Sequence, residues 1–247
     1  MNELFFFQLL VPIRNILASQ ARSVCCIAIK SNGLIYPNIS NFVIPKRHAV
    51  TDFVGIKTKS KVSDLIDRFQ IMNPLHKSKY EANSWILYEK LVDQIPFDRI
   101  ILKLNLPDTF NSWFIITELH LWMIFVRLMH EGTKGSMIRN FIMEALWNDV
   151  EFRSKKLATV SSDVRHRQIK ELNDQLRGAL VGYDEGWLSN DMVLASMVWR
   201  RIFNKECNDP EQIELVVKYI RKQMSILQLQ TFDSLFTKKD VKWIKFV

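Results

Sequence analysis

Only seven of the 247 residues are glycine. Sandwiches and barrels spend glycine on many tight turns, so its scarcity disfavours them and favours helices joined by short loops. Cysteine is rarer still. Cys25 and Cys26 are adjacent, an arrangement that disulfide geometry rarely joins, and Cys207 is far away. No disulfide framework follows, and a reducing or matrix-type compartment fits. Neither C-x-x-C nor H-E-x-x-H occurs, so zinc has no signature here. Glycine-rich phosphate loops, G-x-S-x-G and the paired aspartates of helical isoprenoid enzymes are also missing, which removes the usual marks of nucleotide, acyl and prenyl chemistry. No apolar run reaches the about 18–20 residues of a spanning helix. The nearest, WFIITELHLWMIFV at 113–126, contains Glu118 and His120 and reads as a buried helix.

Acid is absent from residues 4 to 51, where Arg14, Arg22, Ser19, Ser23 and Ser31 occur. That acid-poor pattern containing arginine and serine suits a mitochondrial transit segment, with a disordered tail of no targeting role as the alternative. The run LFFFQLLV at 4–11 lacks the preceding positive charge of a secretory signal. The same segment explains the net charge of +8: residues 1–62 hold eight basic side chains against Glu3 and Asp52. The remainder is nearly balanced, so the excess is no basic stripe on a folded body, and DNA is not an expected partner.

Hydrophobic residues at 48% and charged residues at 24% are ordinary for a folded domain. Residues 1–60, interrupted by Pro12, Pro37 and Pro45, read as a poorly structured targeting and linker segment. From Ser63 the pattern turns helical, with Leu65, Ile66 and Phe69 in register until Pro74 breaks it. Residues 80–94 follow, placing Trp85, Tyr88, Leu91 and Val92 on one side. Pro96 and Pro107 bracket a linker, after which Asp108 or Thr109 caps a helix over 109–131 that is apolar on nearly every face. Such a helix belongs in the middle of a bundle, and Gly132 ends it. Further helices are predicted at about 135–157, from Ser161 or Ser162, from Asn190, and from Asp209-Pro210. The expectation is an all-α fold: one helical-bundle domain of about seven helices over 63–236, with a basic-aromatic tail at 237–247. The tail, TKKDVKWIKFV, alternates basic and apolar residues, a pattern suited to an edge, a protein dock, an anionic membrane surface or a loose terminus.

The stretch YDEGWLSND at 183–191 concentrates Asp184, Glu185 and Asp191. A calcium loop needs ligands at alternating positions and a closing Glu in the twelfth; here Trp187 and Leu188 intrude and the twelfth residue is Ala195. Gly182 and Gly186 suit a helix end and Asn190 and Asp191 a helix start, so the acids mark a corner between helices. Tyr183 and Trp187 beside it are candidates for a binding surface. Glu118 and His120, inside the most apolar helix, must be paired or neutral if buried. No catalytic, cofactor-binding or metal-binding set emerges. Two rivals stay open: an RNA- or ribosome-binding factor using Lys155, Lys156, Arg165, Arg167 and Lys170, and a helical lipid or quinone enzyme built on Glu118.

Five blocks occur in a characteristic order: LPDTFNSWF (106–114), ELHLWMIFVRLMHEG (118–132), ALWNDVEFR (145–153), YDEGWLSNDMVLASMVWRRIFN (183–204) and DPEQIELVVKYIRKQM (209–224). Together they resemble the ubiquinol–cytochrome c chaperone family over about residues 70–240. The resemblance implies a role without catalysis, as an assembly factor for respiratory complex III. Its implied partners are newly made cytochrome b, a small second assembly factor and the mitochondrial ribosome. The implied address is peripheral, on the matrix side of the inner membrane. Trp187 stands where the family carries an aliphatic residue, and Asn190 where it carries an acid. Glu118, His120, Tyr183, Asp184, Glu185 and Trp187 are the residues expected at a partner or client surface.

Overall fold

The computed structural model describes residues 74–157 and 161–246. The segment expected to be a targeting leader, with Cys25 and Cys26, and the helix expected from Ser63 lie outside these residues. Among the described residues there are seven α-helices and no strand. They are α1 (Pro74–Asp93), α2 (Phe97–Lys103), α3 (Phe110–Met129), α4 (Gly132–Leu157), α5 (Ser162–Leu188), α6 (Asp191–Arg201) and α7 (Pro210–Leu229); a single π turn follows at Asp233–Thr237.

Local chemistry sets most of the starts. Thr109 accepts from the Ser112 amide at the head of α3, Asn190 from the Val193 amide at α6, and Asp209 from the Glu211 amide at α7. Each satisfies one of the amides that a helix start leaves without a partner. Pro210 follows Asp209 as the first residue of its helix, where a missing N–H costs nothing. Pro74 does the same as the first residue of α1. Gly132, the first residue of α4, adopts φ of 61°, the left-handed geometry that glycine enters freely.

α3 is the centre. Eighteen of its twenty residues are buried, and α2, α4, α5 and α7 all pack against it. By length and composition it is apolar enough to cross a membrane, yet it lies almost wholly inside the bundle. α1 lies against α4, α5 pairs with α6, and α6 with α7. Ile138, Phe141, Ile142, Ala145, Leu146 and Val150 form the buried face of α4, as their spacing predicts.

Three expectations change. The segment between Pro96 and Pro107 is not a linker: it contains α2, which buries Phe97, Ile100 and Ile101. Trp85 is 36% exposed, whereas Ser84 and Leu87 take the inner face of α1, with the Ser84 hydroxyl donating to the Tyr80 carbonyl at 2.6 Å. Gly182 and Gly186 do not end α5, which continues to Leu188. They admit α6 instead. A Cβ on Gly186 would stand 2.8 Å from Leu194 Cα, and one on Gly182 would stand 2.4 Å from Met197 Sδ.

The tail returns across the bundle. Gln223, fully buried on α7, donates to the Lys242 carbonyl and accepts from the Ile244 amide, both at 2.9 Å. Val241 is buried, and Phe246 packs on Tyr219 with ring centroids 4.9 Å apart.

Candidate functional site

Glu118 and His120, the two ionisable groups at the middle of α3, are each met by side chains from other helices. Glu118 is fully buried and meets Arg201 of α6 in a two-pronged contact, Nη2 to Oε2 at 2.6 Å and Nε to Oε1 at 2.8 Å. The Tyr183 hydroxyl of α5 donates to Oε1 at 3.3 Å, and Arg201 Nη1 donates to Gln175 at 3.1 Å. Burial pushes the Glu118 carboxyl up, and the Arg201 fork and the Tyr183 hydroxyl pull against it. Burial would lower the Arg201 guanidinium, but the hydrogen bonds and charge of Glu118 hold it above its ordinary value. Three helices are thus tied at one buried point.

His120 is equally enclosed. Its Nδ1 lies 2.7 Å from the Ile116 carbonyl, which can only accept, so Nδ1 carries the proton. Nε2, 2.8 Å from the Tyr219 hydroxyl, therefore accepts. Trp243 of the tail meets the ring edge-on at 4.7 Å. Burial lowers the pKa to about 4, so the imidazole is neutral at physiological pH. Below pH about 6.5 the unfolded chain binds a proton that the native ring refuses, and this continues to the folded pKa. Stability is therefore expected to fall with pH below 6.5 by about 1.4 kcal/mol per unit from this group. His130, also lowered by burial, adds the same sign, whereas the raised carboxyls of Glu89, Asp93, Glu118 and Glu144 oppose it. Comparing urea midpoints at pH 7.5 and 5.0 for wild type and His120→Gln isolates the histidine. The variant should lose less stability on acidification.

The acidic corner divides three ways. Asp184 accepts from Trp122 Nε1 at 2.9 Å, Glu185 points to solvent, and Asp191 accepts from Arg221 Nε at 2.9 Å. Arg221, arriving from α7, also donates to the carbonyls of Trp187 at 2.9 Å and of Gly186 and Ser189 at 3.3 Å. Its guanidinium lies 4.9 Å from the Trp187 ring centroid. One arginine thereby satisfies the carbonyls left open where α5 ends and neutralises the first acid of α6. Arg221→Ala is expected to cost about 2 kcal/mol, as for hydrogen bonds from a charged donor. Faster amide exchange confined to residues around 186–194 would identify this corner as the origin. Among the described residues, no group of three or more His, Cys, Asp or Glu is placed to hold a metal ion.

Of the six residues expected at a surface, Glu118, His120 and Tyr183 are enclosed, while Asp184, Glu185 and Trp187 reach solvent to differing degrees. Arg201, Gln175, Tyr219 and Arg221 complete the picture and were not singled out from sequence. Their only sequence signal is that a buried acid and a buried histidine require partners. Of the basic residues considered for RNA, Lys155 pairs with Glu151 at 2.6 Å and Lys156 lies over Phe152 at 4.1 Å.

A groove of about 1360 Å³ opens at the far end of the α5–α6 pair from this corner. The α2–α3 loop, the first half of α5 and the α6–α7 loop form its walls. Leu106, Phe110, Ile115, Leu172, Ile202 and Phe203 line it, together with Arg201 and Gln175. The groove and the acidic corner are separate features: Gln175 and Glu185 lie ten residues apart on one helix, about 15 Å.

Known proteins are similar to this chain in sequence and, separately, in fold. Ubiquinol-cytochrome c reductase complex assembly factor 1 of Drosophila melanogaster is 42% identical over 176 residues, covering 70% of this chain and 68% of that protein. The Mus musculus protein of the same name is 38% identical over 196 residues, 78% of this chain and 64% of its own length. The crystal structure of the Cbp3 homolog from Brucella abortus superposes with a TM-score of 0.59 at 18% identity, covering 75% of this chain and 97% of that one, which shows a shared fold. The ubiquinol-cytochrome C chaperone family matches residues 102–243, from the end of α2 into the tail. This chain belongs to the ubiquinol-cytochrome C chaperone family.

Proposed function

We propose that this protein is a mitochondrial assembly factor for ubiquinol–cytochrome c reductase, respiratory complex III, acting by binding and not by catalysis. In this reading it holds newly made cytochrome b together with a small second assembly factor, peripherally on the matrix side of the inner membrane. One observation carries it: the family match runs through every element that builds the groove and the corner. The shape supports it. At about 1360 Å³ the groove exceeds the roughly 300–1,000 Å³ of pockets that enclose small ligands, and its mixed apolar and polar lining suits a polypeptide segment. Every polar side-chain atom of Glu118 and His120 is hydrogen-bonded inside the protein, which fits a scaffold. Glu118, His120 and Tyr183 then set helix positions, while Asp184, Glu185 and Trp187 contribute surface.

The test is pulse-labelling of mitochondrial translation products followed by capture of the tagged full-length protein. Labelled cytochrome b should co-purify, and depletion of the protein should lower assembled complex III. Absence of cytochrome b from the captured material, with complex III at its normal level after depletion, would refute the reading.

A further inference from the structure

We infer that the outer face of α5, from Asp174 through Gly178 and Val181 to Glu185 and Leu188, is the seat of an amphipathic partner helix with a basic flank. The inference deepens the reading of this protein as one that works through bound partners, and it rests on that reading. These five positions recur at helical spacing and form one stripe, all of it exposed. The opposite face of α5 is already used, with Leu172, Leu176, Ala179, Leu180 and Tyr183 buried in the core.

Gly178 is the first argument. The two other glycines of the second half of α5 are explained inside the chain, because α6 occupies the space a side chain needs. A Cβ on Gly178 would meet nothing within 4 Å. Glycine in an exposed helix interior costs roughly 0.5–1 kcal/mol relative to alanine. The fold gains nothing in return, so the gain must come from something that approaches the backbone there. A bare Cα on a helix face is a notch that lets a second helix pack closely.

Exposed apolar side chains are the second. Val181 is 58% exposed and Leu188 45%, and Met192, just past the turn, is 80% exposed. Scattered surface apolars need no explanation, but these follow the notch along one helix and around its end. Methionine and aliphatic side chains beside a notch form the holes that receive the apolar stripe of a second helix.

Charge selects the partner. Asp174 and Glu185 lie on this stripe, exposed, and neither has an ion-pair partner among the described residues. Arg177, on the stripe's other edge, is engaged within the chain. An acidic apolar stripe favours a partner helix with lysine or arginine beside its apolar residues, and it disfavours an anionic membrane.

The test uses the tagged full-length protein in mitochondria, with a photo-crosslinking residue at Val181 or, separately, at Leu188. Crosslinks are expected in a partner segment with apolar residues at helical spacing and flanking Lys or Arg. Gly178→Leu should fill the notch and lower the crosslinked yield at least about tenfold, corresponding to about 1.4 kcal/mol, while its thermal midpoint equals or exceeds wild type. Glu185→Lys should lower the yield as well. Crosslinks to phospholipid, to a second copy of this chain or to an acidic segment would overturn the inference, as would a folded Gly178→Leu protein whose yield stays within twofold of wild type. Captured cytochrome b in the same wild-type sample reports separately on the proposed function. Its presence alongside an unaffected Gly178→Leu yield rejects only the stripe.

Discussion

Arg201→Ala is expected to destabilise the protein by about 3–5 kcal/mol, the largest single-site loss anticipated here. Arg201 is the ion-pair partner of Glu118, and the Glu118 carboxylate is 0% exposed. Removing the guanidinium strands a carboxylate held deep among three helices, and the Tyr183 hydroxyl alone does not compensate it. Glu118 then escapes by taking up a proton. Its folded pKa is already pushed up by burial, and it rises further without Arg201. A folded pKa above the unfolded value gives a penalty that grows with pH and vanishes when both states are protonated. The gap between Arg201→Ala and wild type should therefore be widest near pH 8 and narrow toward pH 5, as read from urea midpoints. Replacing both partners by leucine removes the stranded charge, so the double variant should recover most of the loss. A single-variant cost under about 1 kcal/mol would show that the pair is not the clamp described.

Gly135→Ala should cost about 3 kcal/mol, near the upper end of overpacking penalties. The added Cβ would lie 1.9 Å from the Leu128 carbonyl oxygen, a backbone atom in the last turn of α3 that cannot rotate away. Either α4 shifts from the central helix or the last turn of α3 is lost. The other glycines form an internal scale. Gly186→Ala meets the Leu194 backbone and should be nearly as costly, whereas Gly182→Ala meets the end of the flexible Met197 side chain and should cost less. Gly178→Ala meets nothing and should stabilise by about 0.5–1 kcal/mol. Four urea titrations give the order, and a neutral Gly135→Ala would contradict the close approach of α3 and α4.

Much of the fold is legible in the chain. The all-round apolar character of 110–129 marks the central helix, and Thr109, Asn190 and Asp209 announce their helices, because caps and periodicity act within a turn or two. The five spaced blocks carry the family for the same reason: they are local strings. The acids of 183–191 are readable as a helix corner and not as a calcium loop.

Partners are decided in space. Glu118 finds Arg201 across 83 positions and His120 finds Tyr219 across 99, and no local spacing selects those two from the other arginines and tyrosines. Arg221 answers three carbonyls that the string can only declare unsatisfied. Glycine shows the division most clearly. At 178, 182 and 186 the letter is the same, yet one faces open space, one a flexible thioether and one a neighbouring backbone. Chain order sets where helices begin and which faces are apolar, since those preferences are short-ranged. Which charges meet, and what fills the space beside a missing side chain, follows from how the helices pack.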